Sequence, residues 1–424
     1  MIVNYLKLQK SHINILWLNI VRMKILYIHQ YFNTPDMPGS TRSYEFAKRL
    51  VSNGDTVYII TSNWQKKSNS YYSLEDGIKV YWGSMEYSNK MSFIRRVNSF
   101  IAFIFYVFKI GLKLDYELII ASSTPLTVGI PALILKKIKK TKLLFEVRDV
   151  WPQIPIALGV IRSKAVIFLL KKLEKKIYSE SDSIIALSDG MKREIKKSSP
   201  KSKKVNVVTN LCDINNFSLP KEVGINYKRN FLNINNEPII TYAGAFGRIN
   251  NAAYLVDIAH EARILDKKIN FILAGNGFQR DIIKKRAEKL KVLNKNLFLF
   301  DYLPKKELPV FLSASTIISS LFIDLPEMEN NSANKFFDGL AAGKPIMINY
   351  GGWQSKLINE HGSGFNIPNN NPKKAIKIIS RIIFNKKKIN EMSKSSKNLA
   401  YSFSIEKNFQ TFRKAIDEIN WDNN

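Results

Sequence analysis

Short apolar runs alternate with longer stretches of helical period along most of the chain. Runs at 24–29, 56–61, 78–82, 117–121, 142–147, 183–187 and 205–208 read as strands, and segments at 41–53, 125–138 and 164–180 as helices between them. Leu118-Ile119-Ile120 is continuous rather than alternating, as a strand buried on both faces requires. The segment from Asp213 to Asn236, rich in Asn and Lys and holding Pro220 and Gly224, interrupts the rhythm, and a second block opens at Pro238. Its expected strands are 239–243, 269–274, 297–300, 316–320 and 345–349; its expected helices are 251–265, 278–291, 305–314, 333–342 and 373–385. In the first of these helices Ala252, Leu255, Val256, Ala259 and Ala262 share one face. Strand–helix alternation with short connections predicts an α/β chain of two doubly wound parallel-sheet domains facing across a cleft. The expected division is 23–212, a linker at 213–236, a second domain at 237–400, and a C-terminal helix within 401–424 placed to pack back on the first domain.

Length and composition agree with this. The 424 residues suit two to three domains. A chain 45% apolar and 24% charged is neither disordered, collagenous nor a coiled coil. Cys212 is the only cysteine, which excludes an internal disulfide and a cysteine metal site, and four histidines leave little room for a histidine cluster. Charge is the outlier: 65 Lys+Arg against 35 Asp+Glu gives +30. That excess suits a solvated cationic surface, an anionic membrane or a phosphate-bearing substrate. Nucleic acid is not an expected partner, because no zinc-finger, bZIP or RNA-binding signature is present.

Two segments bear on the membrane. Residues 1–22 are apolar and basic, without a cleavage site or an 18-residue apolar core, so either the chain starts at Met23 or a short membrane-touching leader precedes the first strand. Phe100 to Phe108 is too short to span a bilayer and is flanked by Arg95, Arg96, Lys109 and Lys113. It reads as either a buried core helix or an interfacial helix on an anionic leaflet. The run Lys136-Lys137-Ile138-Lys139-Lys140 adds charge to the same domain.

Ligands of such sheets bind beyond the carboxyl ends of the strands, so the loops there carry the candidate chemistry. Pro38-Gly39-Ser40-Thr41-Arg42 leads into a helix whose N-terminus favours an anion, with Gly39 permitting close backbone approach. Glu146-Val147-Arg148-Asp149-Val150-Trp151-Pro152 puts Arg148 and Asp149 just beyond a strand, where an ion pair costs desolvation unless partnered. Gly244-Ala245-Phe246-Gly247-Arg248 joins exposed backbone N–H groups to a fixed positive charge, a combination that suits a diphosphate. Neither G-x-G-x-x-G nor G-x-x-x-x-G-K-[ST] occurs, which argues against a Rossmann dinucleotide fingerprint and a P-loop. Gly275-Asn276-Gly277 is a further strand-to-helix turn. In Asn330 through Pro345, Lys335 falls in the first turn of a helix, where a cation opposes the dipole; a bound anion would explain it. Asp338 follows on the same face, placed to accept hydrogen bonds from sugar hydroxyls.

Taken in order, these motifs resemble the retaining GT-B glycosyltransferases of the glycogen synthase and mannosyltransferase group (family 4 type), and more narrowly bacterial O-antigen or capsule enzymes of the fucosamine-transferase type. The resemblance runs from Met23 to about residue 415. It implies two Rossmann-like domains in a GT-B arrangement and a metal-independent, hexosyltransferase-type enzyme. The substrate would be a nucleotide sugar of UDP or GDP type, with no cofactor. A lipid-linked oligosaccharide acceptor in surface-polysaccharide synthesis would place the protein in the cytoplasm, peripheral on the inner face of the plasma membrane. Carried over residue by residue, Arg248 and Lys335 take the diphosphate and Asp338 the ribose. Gly39 faces the donor phosphate, Gly247, Gly275, Asn276 and Gly277 complete the donor site, and Arg148 and Asp149 face donor sugar or acceptor. The chain departs from the family where Asn330 replaces the first glutamate of Glu-x7-Glu, Tyr254 replaces a second basic residue, and Thr209-Asn210-Leu211 replaces Pro-Asn-Gly. The alternatives are a sugar-nucleotide epimerase of the same fold and a non-catalytic basic protein at a membrane.

Overall fold

A computed structural model of the protein describes residues 22–63, 69–85, 91, 93–149, 151–202 and 204–421. The possible leader at 1–22 therefore lies almost wholly outside the described residues.

The first sheet holds strands β1 (Lys24–Ile28), β2 (Thr56–Ser62), β3 (Tyr71–Glu75), β4 (Ile78–Gly83), β5 (Leu118–Ser122), β6 (Lys142–Val147), β7 (Ser183–Ala186) and β8 (Val205–Val207). Their spatial order is β3-β4-β2-β1-β5-β6-β7-β8, parallel except for the β3–β4 hairpin. The second sheet holds β9 (Ile239–Ala243), β10 (Asn270–Ala274), β11 (Leu297–Phe300), β12 (Ile317–Ser320), β13 (Ile346–Ile348) and β14 (Gly364–Asn366), in the order β11-β10-β9-β12-β13-β14, parallel throughout. Helices cover both sheets, so the central strands are buried end to end; every residue of β5, β6 and β12 is inaccessible.

In each sheet the chain order runs outward in both directions from a central pair, β1 and β5 in the first and β9 and β12 in the second, save that the edge hairpin of the first sheet puts β4 inside β3. Loops leaving such a pair diverge and open a crevice at the strands' carboxyl ends. The two crevices face each other, and a cavity lined by both domains lies between them.

The stretch 213–236 is not a bare linker. It carries helices Ile214–Phe217 and Lys221–Asn230, and the second packs on the second domain, with Tyr227 edge-on to Phe311. At the far end the chain returns. Helix Ile405–Asp417 lays Phe412 on Phe46 with ring centroids 4.4 Å apart, and Arg413 pairs with buried Asp55 at 2.6 Å. The outgoing and returning strands of chain touch where the Cys212 amide donates to the Phe403 carbonyl at 2.8 Å. Among the described residues no helix is long and apolar enough to cross a membrane.

Candidate active site between the domains

The cavity occupies about 440 Å³ and draws its wall from both domains. From the first come His29, Gly39, Ser40, Thr124, Arg148, Asp149 and Asn210; from the second come Gly244, Asn250, Tyr302, Asn334, Lys335 and Asp338.

The first-domain wall rests on a buried polar network. Glu146, at the end of β6, is fully buried and pairs with Arg42 at 2.8 Å. Ser122 and Tyr27 donate to its other oxygen at 2.7 and 3.3 Å. Burial alone would push this carboxyl up, but the adjacent Arg42 and Arg148 charges and the Ser122 hydrogen bond bring it down to about 2. Arg42 spends its remaining donors on the Val208 and Thr209 carbonyls, joining the helix Arg42–Ser52 to the end of the sheet.

Arg148 reaches the cavity from this base. Its guanidinium lies 3.1 Å from His29 Nε2 and donates to Ser40 Oγ at 3.0 Å. An arginine only donates, so His29 Nε2 accepts, and the Nδ1 proton goes to Ser43 Oγ, 2.9 Å away. Burial and the Arg148 charge push the His29 imidazole down to about 3, so the ring stays neutral. Ser40 in turn donates to Asn334 of the second domain at 3.3 Å. Asp149 accepts from Thr124 at 2.9 Å.

The second-domain wall adds a positive charge of its own. Lys335 stands in the first turn of helix Asn334–Ala341. Its ammonium donates to Asn250 Oδ1 at 3.0 Å and lies over the faces of Tyr242 and Phe322, 4.7 and 5.1 Å from the ring centres. No carboxylate among the described residues pairs with it, and burial pushes it down to about 7. A half-buried cation whose neighbours are an amide and two rings is electrostatically unfinished. Asp338 is buried and pairs with Lys305 at 2.5 Å; burial raises its carboxyl and Lys305 opposes the rise.

Gly39 and Gly275 shape the backbone. Gly39 has φ +124°, and a Cβ there would meet Asn33 Nδ2 at 2.8 Å. At Gly275, φ +158°, a Cβ would stand 1.9 Å from the Gly244 carbonyl oxygen, so the two glycine loops touch.

Of the residues expected from sequence, the structure brings Gly39, Arg148, Asp149, Lys335 and Asp338 to the one cavity. The others lie elsewhere. Arg248 is exposed and stacks on Phe278, 4.7 Å from its ring centre, and neither it nor Gly247 is in the cavity wall. Gly275, Asn276 and Gly277 sit behind Gly244 and Ala274, braced by Asn276 to Asp301 at 3.1 Å and Arg280 to the Gly275 carbonyl at 2.7 Å. Asn330 faces a second, smaller cavity. Of the two cations expected to converge, Lys335 lines the cavity and Arg248 stacks on Phe278 outside its wall, two positions from Asn250. Sequence reasoning missed Lys305 and the support of Arg148 by His29; His29 heads the loop that leaves β1, which was the available signal.

The halves of the chain match two family models in tandem: Glycosyltransferase Family 4 over residues 39–216 and Glycosyl transferases group 1 over residues 225–399. The two-domain fold with parallel sheets matches that of GT-B glycosyltransferase structures. Probable glycosyltransferase WbjE of Pseudomonas aeruginosa is 25% identical over 305 residues, covering 70% of this chain and 74% of that protein. The structure of Anabaena Alr3699/HepE in complex with UDP and glucose superposes with a TM-score of 0.70 at 14% identity, covering 93% of this chain and all of that one. WaaG, a glycosyltransferase involved in lipopolysaccharide biosynthesis, superposes with a TM-score of 0.68 at 11% identity, over 94% of this chain and all of that one.

Proposed function

We propose that the protein transfers a hexose-type sugar, with retention, from a nucleoside diphosphate donor to a lipid-linked saccharide during assembly of a bacterial surface polysaccharide of the O-antigen or capsule kind. The observation that carries this is Lys335: a half-buried ammonium with no carboxylate partner among the described residues, at a helix N-terminus on the wall of an interdomain cavity. A diphosphate completes it, accepting from Lys335 and from the free N–H groups of the helix. Arg248 lies on the adjacent turn, and rotation off Phe278 would bring a second cation to the rim. With charge supplied this way the leaving diphosphate needs no metal. Asp338, held by Lys305, is placed to accept from the donor ribose. Arg148 and Asp149 address the sugar from the opposite wall. The acceptor hydroxyl attacks C1 from the face the diphosphate leaves, and the departing oxygen takes its proton.

A thermal-shift panel of UDP-, GDP- and other nucleotide sugars tests the donor class. One nucleotide series should raise the melting temperature, because a ligand of the folded state stabilises by mass action. No shift with any of them contradicts the reading.

The membrane part of the proposal rests on one face of the first domain. Ile94, Ile101 and Phe105 are exposed on helix Phe93–Gly111 and Leu112 just beyond it, Ile134 and Ile138 on helix Gly129–Lys139, and Phe168 and Leu169 on helix Lys164–Glu180. The middle helix touches both others, and Lys109, Lys113, Lys137, Lys164, Lys171 and Lys172 are exposed around them. Apolar side chains ringed by lysine suit the interface of an anionic leaflet on the cytoplasmic side. The protein should float with liposomes containing anionic lipid at low salt; remaining at the bottom of the gradient contradicts this part.

A further inference from the structure

Glu174 is a buried carboxyl outside the cavity walls, and the reaction described above does not use it. It sits on helix Lys164–Glu180 at 2% exposure. Ser198, the last residue of helix Asp189–Ser198, donates to its Oε2 at 3.1 Å. Tyr178 donates from the next turn of the same helix, and the Gln153 amide from the start of the short helix Gln153–Ala157. Lys171, one turn back, is exposed and acts only through its charge; no cation among the described residues forms an ion pair with Glu174. The groups facing the carboxyl are therefore a hydroxyl, a phenol, an amide and one remote ammonium.

The contact with Gln153 leads to the site. Gln153 ends the loop after β6, and Asp149 and Arg148 stand four and five positions before it. Between them Trp151 packs on the core cluster that contains Tyr178. The helix that holds Glu174 thus braces the loop that brings Arg148 and Asp149 to the cavity wall.

Two oxygens in this brace are left over. Glu174 Oε1 and Gln153 Oε1 are both shielded from solvent, and neither receives a hydrogen bond. Buried acceptors ordinarily have partners. A carboxylate only accepts, so it leaves both orphaned; a carboxylic acid supplies the O–H that the pair lacks. With the amide N–H given to one carboxyl oxygen and the carboxyl O–H given to the amide oxygen, acid and amide close a ring of two hydrogen bonds. Burial raises the Glu174 carboxyl to about 7, against the hydrogen bonds from Ser198, Gln153 and Tyr178 and the Lys171 charge, so both forms are populated near neutrality.

We propose that protonated Glu174 is a positioning residue of the transferase: its ring with Gln153 holds the loop after β6, and with it Arg148 and Asp149, in the arrangement that faces the substrate. The inference rests on the transferase reading above. Loss of the proton opens the ring and sets a charged oxygen against the Gln153 carbonyl oxygen, so the loop loosens as pH rises through neutrality while the Lys335 wall is untouched.

The test follows turnover from pH 6.5 to 8.5 as release of nucleoside diphosphate, with water as acceptor, from saturating UDP-glucose, UDP-N-acetylglucosamine and GDP-mannose. Saturating donor keeps Lys335 charged, so its own titration does not enter. Wild-type kcat should fall about fivefold or more across the range, with donor KM little changed. Glu174→Gln, whose amide both accepts and donates toward Gln153, should hold its pH 6.5 rate up to pH 8.5. Melting temperature gives a second readout. A raised carboxyl costs stability once it ionises, so Glu174→Gln should melt above wild type by a margin wider at pH 8 than at pH 6. A flat wild-type profile, a Glu174→Gln profile that falls like wild type, or a margin that does not change with pH overturns the proposal and leaves the transferase reading in place. No turnover together with no rise in melting temperature with any nucleotide sugar removes both.

Discussion

Lys335→Met is the most informative single change. In the free protein, burial has brought the Lys335 ammonium from its ordinary 10.5 to about 7. At 1.36 kcal/mol per pH unit this corresponds to about 5 kcal/mol of disfavoured charge. A diphosphate beside it restores the charged form, so binding draws in a proton whenever the free side chain is neutral. The sign follows directly. Below pH 7 the lysine is already charged and donor affinity is flat; above pH 7 affinity falls about tenfold per pH unit. At pH 8 the larger part of one proton is taken up per donor bound. The pyrophosphate diester of a nucleotide sugar has no proton of its own to exchange near neutrality, so the uptake belongs to the protein. Titration calorimetry in two buffers of different ionisation enthalpy, from pH 6.5 to 8.5, reads both affinity and proton count. Met fills the space between Tyr242 and Phe322 without charge, so the variant should lose the pH dependence and bind donor far more weakly. Its ligand-free form should melt higher, by the equivalent of about 1–2 kcal/mol, as expected when a charge is removed from a half-buried site. Flat affinity and equal buffer heats in wild type, or donor binding undiminished in the variant, refute the assignment.

Three further outcomes follow from the packing and the polar network. His29→Ala should lower kcat/KM by about 10–100-fold by releasing Arg148, with little change in donor affinity; in wild type the imidazole should show no protonation by NMR down to pH 5, and its depressed value costs folding stability as pH falls below about 6.5, at about 1.4 kcal/mol per pH unit. Glu146→Gln leaves the buried Arg42 charge without its counter-ion and should destabilise by about 3–5 kcal/mol in denaturant unfolding. Phe412→Ala empties the contact of the returning helix with Phe46 and should cost about 3–5 kcal/mol by the same assay.

Much of the fold was legible because strands buried on both faces leave continuous apolar runs, as at Leu118 to Ile120. The misses have physical reasons. Strand β3 is an exposed edge with Tyr71, Tyr72 and Leu74 facing solvent, so it lacks a core signature. Its hairpin is nonetheless written in Asp76-Gly77, whose φ values of +47° and +82° are those of a tight two-residue turn. Strand β14 has three residues, too few to show a period. The expected helix 251–265 begins only at Tyr254, because the chain first makes a short turn over Arg248–Asn250 and passes through a left-handed Asn251. Within the site, Lys335 could be picked out locally, since a cation in a helix's first turn is unfavourable on its own. The pairing of Asp338 with Lys305 and the seat of Arg148 on His29 join residues 33 and 119 positions apart, and no local pattern encodes them. Arg248 shows the converse: its motif predicts a phosphate contact, but the motif does not say which way the side chain lies, and here it lies on Phe278.

A crystal structure of the protein soaked with a nucleoside diphosphate tests the central claim most directly. The account predicts both phosphates in the cleft between the domains, with an oxygen within hydrogen-bond distance of Lys335 Nζ and of the N–H groups that open helix Asn334–Ala341. A nucleotide ordered elsewhere, or one whose phosphates leave Lys335 untouched, contradicts it.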